Sequence, residues 1–122
     1  MNFNADSFEG KFITAMTASE FETLADAALE QVAKALEDSE ADCDCEPKGT
    51  GVLELEFADG GRIVINRHSV AQEIWVAAKS GGFHFRWNGT GWADTRGGGE
   101  LMVALSKLVS QQSGKAVTLE RS

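Results

Sequence analysis

Glu37-Asp38-Ser39-Glu40-Ala41-Asp42-Cys43-Asp44-Cys45-Glu46, residues 37–46, is where the chain changes its hydrophobic period. Upstream, apolar residues recur at helical spacing. From Ala41 onward, acids at 42, 44 and 46 alternate with small or sulfur side chains at 41, 43 and 45. Successive side chains of a strand point to opposite faces. Asp42, Asp44 and Glu46 are therefore expected as a carboxylate row facing water, with Ala41, Cys43 and Cys45 turned toward a core.

The helix feeding this strand starts from Ser19, which with Glu22 has the spacing of a capping box. Phe21, Leu24, Ala25, Ala28, Leu29, Val32 and Leu36 follow on one helical stripe, predicting a helix from about Glu20 to Asp38. Its far face carries Glu22, Asp26 and Glu30, with Lys34 placed to pair with Glu30. Between Glu20 and Glu46 there are acids at 20, 22, 26, 30, 37, 38, 40, 42, 44 and 46, against Lys34 alone. Helix and strand together are expected to present one anionic edge.

Beyond Pro47-Lys48-Gly49-Thr50-Gly51 the alternation continues. Leu53, Leu55 and Phe57 point one way and Glu54 and Glu56 the other. Asp59-Gly60 is a hairpin signal, and Arg62–Asn66 returns with Ile63 and Ile65 inward. Glu73–Lys79 sets Ile74, Val76 and Ala78 inward and Trp75 outward. After Ser80-Gly81-Gly82, Phe83, Phe85 and Trp87 face in while His84 and Arg86 face out. Asn88-Gly89 turns the chain into a strand at Trp92–Arg96. Past three glycines, a second helix is expected from Glu100 to about Ser113, striped by Leu101, Ala104, Leu105 and Leu108 and stopped by Gly114. Val117 and Leu119 would tuck the tail against the helices.

Tight turns imply antiparallel pairing. Two amphipathic helices and a sheet with one apolar face give an α+β, two-layer sandwich with both helices on one face of a mainly antiparallel sheet. Residues 1–18 are expected as a flexible N-terminal arm and 19–122 as a single domain. Met16-Thr17-Ala18-Ser19-Glu20 reads as a native start, which would place the first fifteen residues upstream of it.

A net charge of −8 disfavours contact with a phosphate backbone, which draws on Lys and Arg, so no nucleic acid partner is expected. It favours a cation or a basic protein surface. No apolar run is long enough to span a bilayer. Met1–Thr17 contains Asp6, Glu9 and Lys11, unlike a signal peptide, so no membrane partner and a cytoplasmic location are expected. Two cysteines do not make a disulfide scaffold.

Ile65-Asn66-Arg67-His68, Gln72-Glu73-Ile74-Trp75-Val76-Ala77, Gly81-Gly82-Phe83-His84-Phe85 and Gly91-Trp92-Ala93-Asp94-Thr95-Arg96, in that order, resemble the frataxin family, above all its bacterial CyaY branch. The opening helix and the Asp44-Cys45-Glu46 strand fit as well, so the resemblance runs from about Ser19 to Leu119. It implies a cytoplasmic iron-binding protein of iron–sulfur cluster assembly. Such a protein would associate with a cysteine desulfurase and its iron–sulfur scaffold protein, as regulator or iron donor. The chain departs from the family in carrying Val70 where Pro is usual before the Trp strand. It has Ala33 and Lys34 where some bacterial members are acidic, and Cys43 in place of an aliphatic residue.

Carboxylate oxygens suit hard cations, Fe²⁺ and Fe³⁺ among them, with Mn²⁺ or Ca²⁺ able to substitute. With waters retained, such a site binds weakly. Glu37, Asp38, Asp42 and Asp44 are the first candidate ligands, because there helix end and strand row converge. Glu30 and Asp26 are outlying candidates and, with Glu22, read equally as solvated or docking residues, since charge runs commonly form solvated faces. Glu40 joins Glu22 in the expected docking set. On the open sheet face, Trp75 beside Asn66, His84 and Arg86 reads as an interface anchor or as a ring packed over arginine stems. The resemblance implies that Trp75, Asn66 and, more weakly, His68 contact the scaffold protein; His84 is expected in the partner-binding set and as an accessory metal ligand. Trp87 and Trp92 read as core. Cys43 and Cys45 read as small hydrophobes, and no catalytic triad or phosphate loop is present. The expected activity is binding by a monomer that can assemble with iron. Ferrous iron oxidation and a metal-free acidic adaptor are the alternatives.

Overall fold

The computed structural model describes residues 16–120, so the expected arm lies almost wholly outside the described residues. In chain order the elements are α1 (Ala18–Asp38), β1 (Cys43–Pro47), β2 (Val52–Phe57), β3 (Arg62–His68), β4 (Glu73–Ala78), β5 (Gly81–Trp87), β6 (Trp92–Asp94) and α2 (Leu101–Ser113). The strands form a six-stranded sheet in simple sequential order, and every neighbouring pair is antiparallel. Both helices cover one face, α1 resting on β2 and β3 and α2 on β6. β1 is an edge strand.

The inner row of side chains is the one that alternation selected. Leu55, Ile63, Ile65, Ile74 and Phe85 are wholly buried, as are Phe21, Ala25 and Val32 from α1 and Leu105 and Val109 from α2. Burying each large apolar side chain contributes roughly 1.5–3 kcal/mol. Register locks the row: Leu55 lies opposite Ile63, Ile65 opposite Val76, and Ile74 opposite Phe85. Trp92 is buried as expected and meets Phe21 edge to face, at 6.0 Å between ring centroids. Trp87 is half-buried against the same core.

Helix α1 begins earlier than its stripe predicted. Thr17, not Ser19, is the N-cap: its Oγ1 accepts from the Glu20 amide at 3.0 Å, and Glu20 Oε1 accepts from the Thr17 amide at 2.9 Å. Thr-x-x-Glu and Ser-x-x-Glu both occur here, two residues apart, and tertiary contacts choose between them. Met16 packs against the core and its carbonyl accepts from Gln72 Nε2 at 2.9 Å. Met16 thereby stands at N′ with Phe21 at N4, the positions of a hydrophobic staple. The ordered fold thus reaches back at least to Met16.

The last strand is shorter than expected. After Asp94 the chain turns, with Asp94 Oδ1 accepting from the Arg96 amide at 2.8 Å and its carbonyl from Gly97. Helix α2 ends at Gly114 in the left-handed region, φ +78°, a conformation glycine adopts without a Cβ clash. The tail then docks as predicted: Val117 and Leu119 are buried, and their amides donate to Ser110 Oγ and Ser106 Oγ, each at 2.8 Å. No helix of the described residues is long and apolar enough to cross a membrane.

Thr17→Ala is expected to lower stability by about 1 kcal/mol, and Ser19→Ala by less than about 0.5 kcal/mol. Urea unfolding of the two variants checks this; equal losses would return the cap to Ser19.

Candidate functional site

Two surfaces gather the chemistry-bearing side chains, one at the α1–β1 edge and one on the open face of the sheet. At the edge, strand alternation holds as read: Asp42, Asp44 and Glu46 are exposed, while Cys43 and Cys45 are half-buried against the core. Glu30, Lys34 and Glu37 of α1 line one groove with Cys43, Asp44 and Cys45. Asp44 is thus where helix and strand acids converge.

Two expected metal ligands are instead engaged by the protein's own cations. Both carboxylate oxygens of Asp26 accept from Arg67 Nη1 at 2.7 Å, and the Arg67 side chain is only 14% exposed. Arg67 reaches Asp26 by passing Gly51, where an added Cβ would lie 2.5 Å from its Nε. Asp38 accepts from Lys34 Nζ at 3.0 Å. Lys34 therefore pairs forward with Asp38, not back with Glu30 as its spacing also allowed. Asp42 is exposed just ahead of β1, outside the groove lining. Among the described residues no three His, Cys, Asp or Glu side chains converge closely enough to form a ready-made metal cage. Glu30, Glu37, Asp42 and Asp44 have no ion-pair partner among those residues.

Strand pairing extends the anionic edge onto the open sheet face. Asp44 lies opposite Glu56 and Glu46 opposite Glu54, and like charges directly opposite one another are destabilising. The second pair is compensated. Lys48 Nζ sits 3.1 Å from Glu46 and 3.5 Å from Glu54, and Arg62 Nε lies 3.4 Å from Glu54. The hydrogen bond to Glu46, followed by the charges of Glu46 and Glu54, holds the Lys48 ammonium above its ordinary range. Arg62 also stands opposite Glu56, whereas Asp44 has no such cation among the described residues, so the residual field centres on Asp44.

The second surface spans β3, β4 and β5. Asn66, Trp75 and His84 stand in one cross-strand row. The Trp75 ring lies between two imidazoles, His68 at 3.8 Å and 13° and His84 at 4.5 Å and 11°. Parallel stacking, not an arginine stem, thus holds the indole flat. Val70, at the tip of the adjoining turn, is 93% exposed. His68 Nδ1 accepts from the Ala71 amide at 3.2 Å, tying the stack to that turn. Glu22 and Glu40, expected to dock partners too, lie elsewhere. Glu22 lies within the second turn of α1 and Glu40 two residues past its end, with roughly 24 Å of helix between Glu22 and Asp38 at 1.5 Å per residue.

Glu73 is the buried carboxylate beneath this surface that the sequence pattern did not single out. It is 6% exposed. Its Oε1 accepts from the Trp75 indole at 2.8 Å and its Oε2 from Arg86 Nη2. Burial pushes the carboxyl up, but the Trp75 and Arg86 hydrogen bonds and the Arg86 charge outweigh it. The group therefore rests below its ordinary value. The available signal was parity: Glu73 shares a face with Trp75 two residues on, and only register places Arg86 opposite it.

A family model described as "Frataxin-like domain" matches residues 14–115. The chain is 57% identical over 104 residues to the iron–sulfur cluster assembly protein CyaY of Dechloromonas aromatica, covering 85% of this chain and 99% of that one. It is 53% identical over 108 residues to the CyaY of Cupriavidus metallidurans, covering 86% and 97%. Among solved structures, the fold is similar to the frataxin of Psychromonas ingrahamii, with a TM-score of 0.80 at 32% identity over 87% of this chain and 100% of that one. It is also similar to a trimeric frataxin from the yeast Saccharomyces cerevisiae complexed with ferrous iron. There the TM-score is 0.54 at 28% identity, over 84% and 90% of the two chains.

Because the folded pKa of Glu73 is depressed, its stabilising contribution is present above the ordinary carboxyl pKa of 4.5 and is lost as pH falls through the folded value. Glu73→Gln is expected to cost about 1–3 kcal/mol at neutral pH and to flatten the acid limb of the stability curve. Thermal melts of both proteins from neutral pH into that range test it, and an unchanged acid limb in the variant contradicts the assignment.

Proposed function

The chain belongs to the frataxin-like family, and on that footing we propose that it serves iron–sulfur cluster assembly by holding iron briefly at Asp44. There it would present the metal, or the unmetallated acids, to a cysteine desulfurase and its scaffold protein. The observation that carries this reading is the convergence of Glu30, Glu37 and Asp44 on one groove, with Asp42 and Glu56 close by in sequence and register. Oxygen-only donors on an open surface bind hard cations with several waters retained. Iron is cargo here: the site lets it go because nothing encloses it. A cytoplasmic location and a monomer that assembles when loaded with iron complete the proposal; the yeast relative is a trimer.

The two surfaces divide the work. The anionic edge attracts cations and the basic surface of the desulfurase, giving an interaction that salt weakens. The His68–Trp75–His84 stack with Asn66 and the exposed Val70 offers a flat aromatic anchor for the scaffold protein. A metal-free adaptor is the second reading, favoured by the lack of a three-ligand cluster among the described residues.

Asp44→Lys with Glu37→Lys is expected to weaken Fe²⁺ binding and desulfurase binding each by at least about tenfold, or 1.4 kcal/mol. Asp26→Asn is expected to leave iron binding in place while lowering stability, because it breaks the pair with Arg67. Titration of the amide spectrum, first with Fe²⁺ and then with desulfurase, reads both. Iron shifts that survive the charge reversals defeat the metal assignment, and desulfurase binding lost without any iron response selects the adaptor.

Trp75→Ala is expected to weaken scaffold binding by about 2 kcal/mol or more without changing Fe²⁺ shifts at the edge. Calorimetry with the scaffold protein checks the first and the same amide titration the second. Unchanged scaffold affinity would remove the stack from the interface.

A further inference from the structure

The inner side of β1 carries donors that the iron reading leaves unused. Cys43 and Cys45 are both free thiols, both half-buried, and both line the α1–β1 groove over Ala33 and Leu36. They stand two apart on one strand, so their Cβ atoms point the same way and lie roughly 6.6 Å apart. A disulfide needs Cβ atoms at about 3.5–4.5 Å, which this spacing denies. A metal ion inserted between the sulfurs changes the geometry. Two metal–thiolate bonds of about 2.3 Å span roughly 4.6 Å, a gap the two side chains close by leaning toward each other.

We propose that Cys43 and Cys45 form a two-coordinate site for a soft d¹⁰ cation of the Cu⁺ class, seated in the groove inside the anionic edge. Thiolate ligands select such cations over hard ones. A linear pair of donors completes their coordination, so the absence of a third convergent ligand among the described residues is no obstacle. Two S–H bonds break, two S–metal bonds form and two protons pass to solvent; no oxidant or reductant takes part. The surrounding acids draw the cation in. Lys34 also lines the groove, with its ammonium paired to Asp38. Burial first, and then the charges of Cys45, Asp44 and Asp42, raise the Cys43 thiol, while burial raises Cys45.

The test is an anaerobic titration of the reduced full chain against Cu⁺ held by bicinchoninate. The native chain is expected to withdraw a single equivalent from the chelate. Cys43→Ser and Cys45→Ser are each expected to abolish the withdrawal, because one sulfur cannot complete the pair. Cys43→Val and Cys45→Val, which suit a half-buried strand, repeat the test with the fold protected, and circular dichroism melts confirm that each variant is folded. The double valine variant is expected to keep its Fe²⁺ amide shifts at Asp44, separating this site from the iron reading. A chelate left intact by the native chain overturns the proposal. So does full withdrawal by either folded single variant.

Discussion

The burial of Leu55, Ile63, Ile65, Ile74 and Phe85 beneath two helices is the constraint on which everything else in the molecule hangs. A strand has a side-chain period of two, so slipping any pairing by one residue would exchange its whole inner row for its outer one. With each inner residue worth roughly 1.5–3 kcal/mol, such a slip is prohibitively costly. The outer row therefore has no freedom to avoid unfavourable neighbours. Asp44 must face Glu56, Glu46 must face Glu54, and Trp75 must stand between His68 and His84. Both candidate surfaces are what remains outside once the inside has been satisfied.

That constraint also explains which features could be read from the chain. Alternation and glycine-marked turns are local, so the strand order, the two-layer architecture and the facing of each side chain were legible. Pairings between distant residues were not. Asp26 and Arg67 are 41 positions apart, and nothing local distinguishes an acid that will meet a buried guanidinium from one left in water. Lys34 shows a milder version: Glu30 and Asp38 both stand four residues away, and helical spacing alone cannot choose. Glu73 looked like a polar strand start because its burial depends on Arg86 across the sheet. The N-cap was misplaced for the same reason, since Thr17 wins over Ser19 through Met16 and Gln72.

The distribution of compensation within the acidic edge bears on what the edge can do. Arg67, Lys34, Lys48 and Arg62 neutralise Asp26, Asp38, Glu46 and Glu54. The molecule has thus committed its nearby cations to other acids, leaving Glu30, Glu37 and Asp44 without an ion-pair partner among the described residues. Self-repulsion that the core can tolerate, but that any arriving positive charge relieves, is a source of binding free energy. An exterior site of this kind has low affinity by construction, because water competes for every carboxylate. Low affinity is what the proposed brief holding of iron requires.

Strand β1 adds a separation by hardness that composition alone would hide. Along the strand oxygen and sulfur donors alternate, while the groove beside α1 is lined by Glu30, Glu37 and Asp44 as well as by both thiols. A hard cation would meet solvated carboxylates; a soft one would find two thiols in a groove also lined by Ala33 and Leu36. Among the described residues no three of these donors come close enough to make a mixed cage, so hard and soft cations would use different subsets of the groove lining. Cys43, set where an aliphatic residue would serve packing equally well, leaves the carboxylates of the same groove open to water.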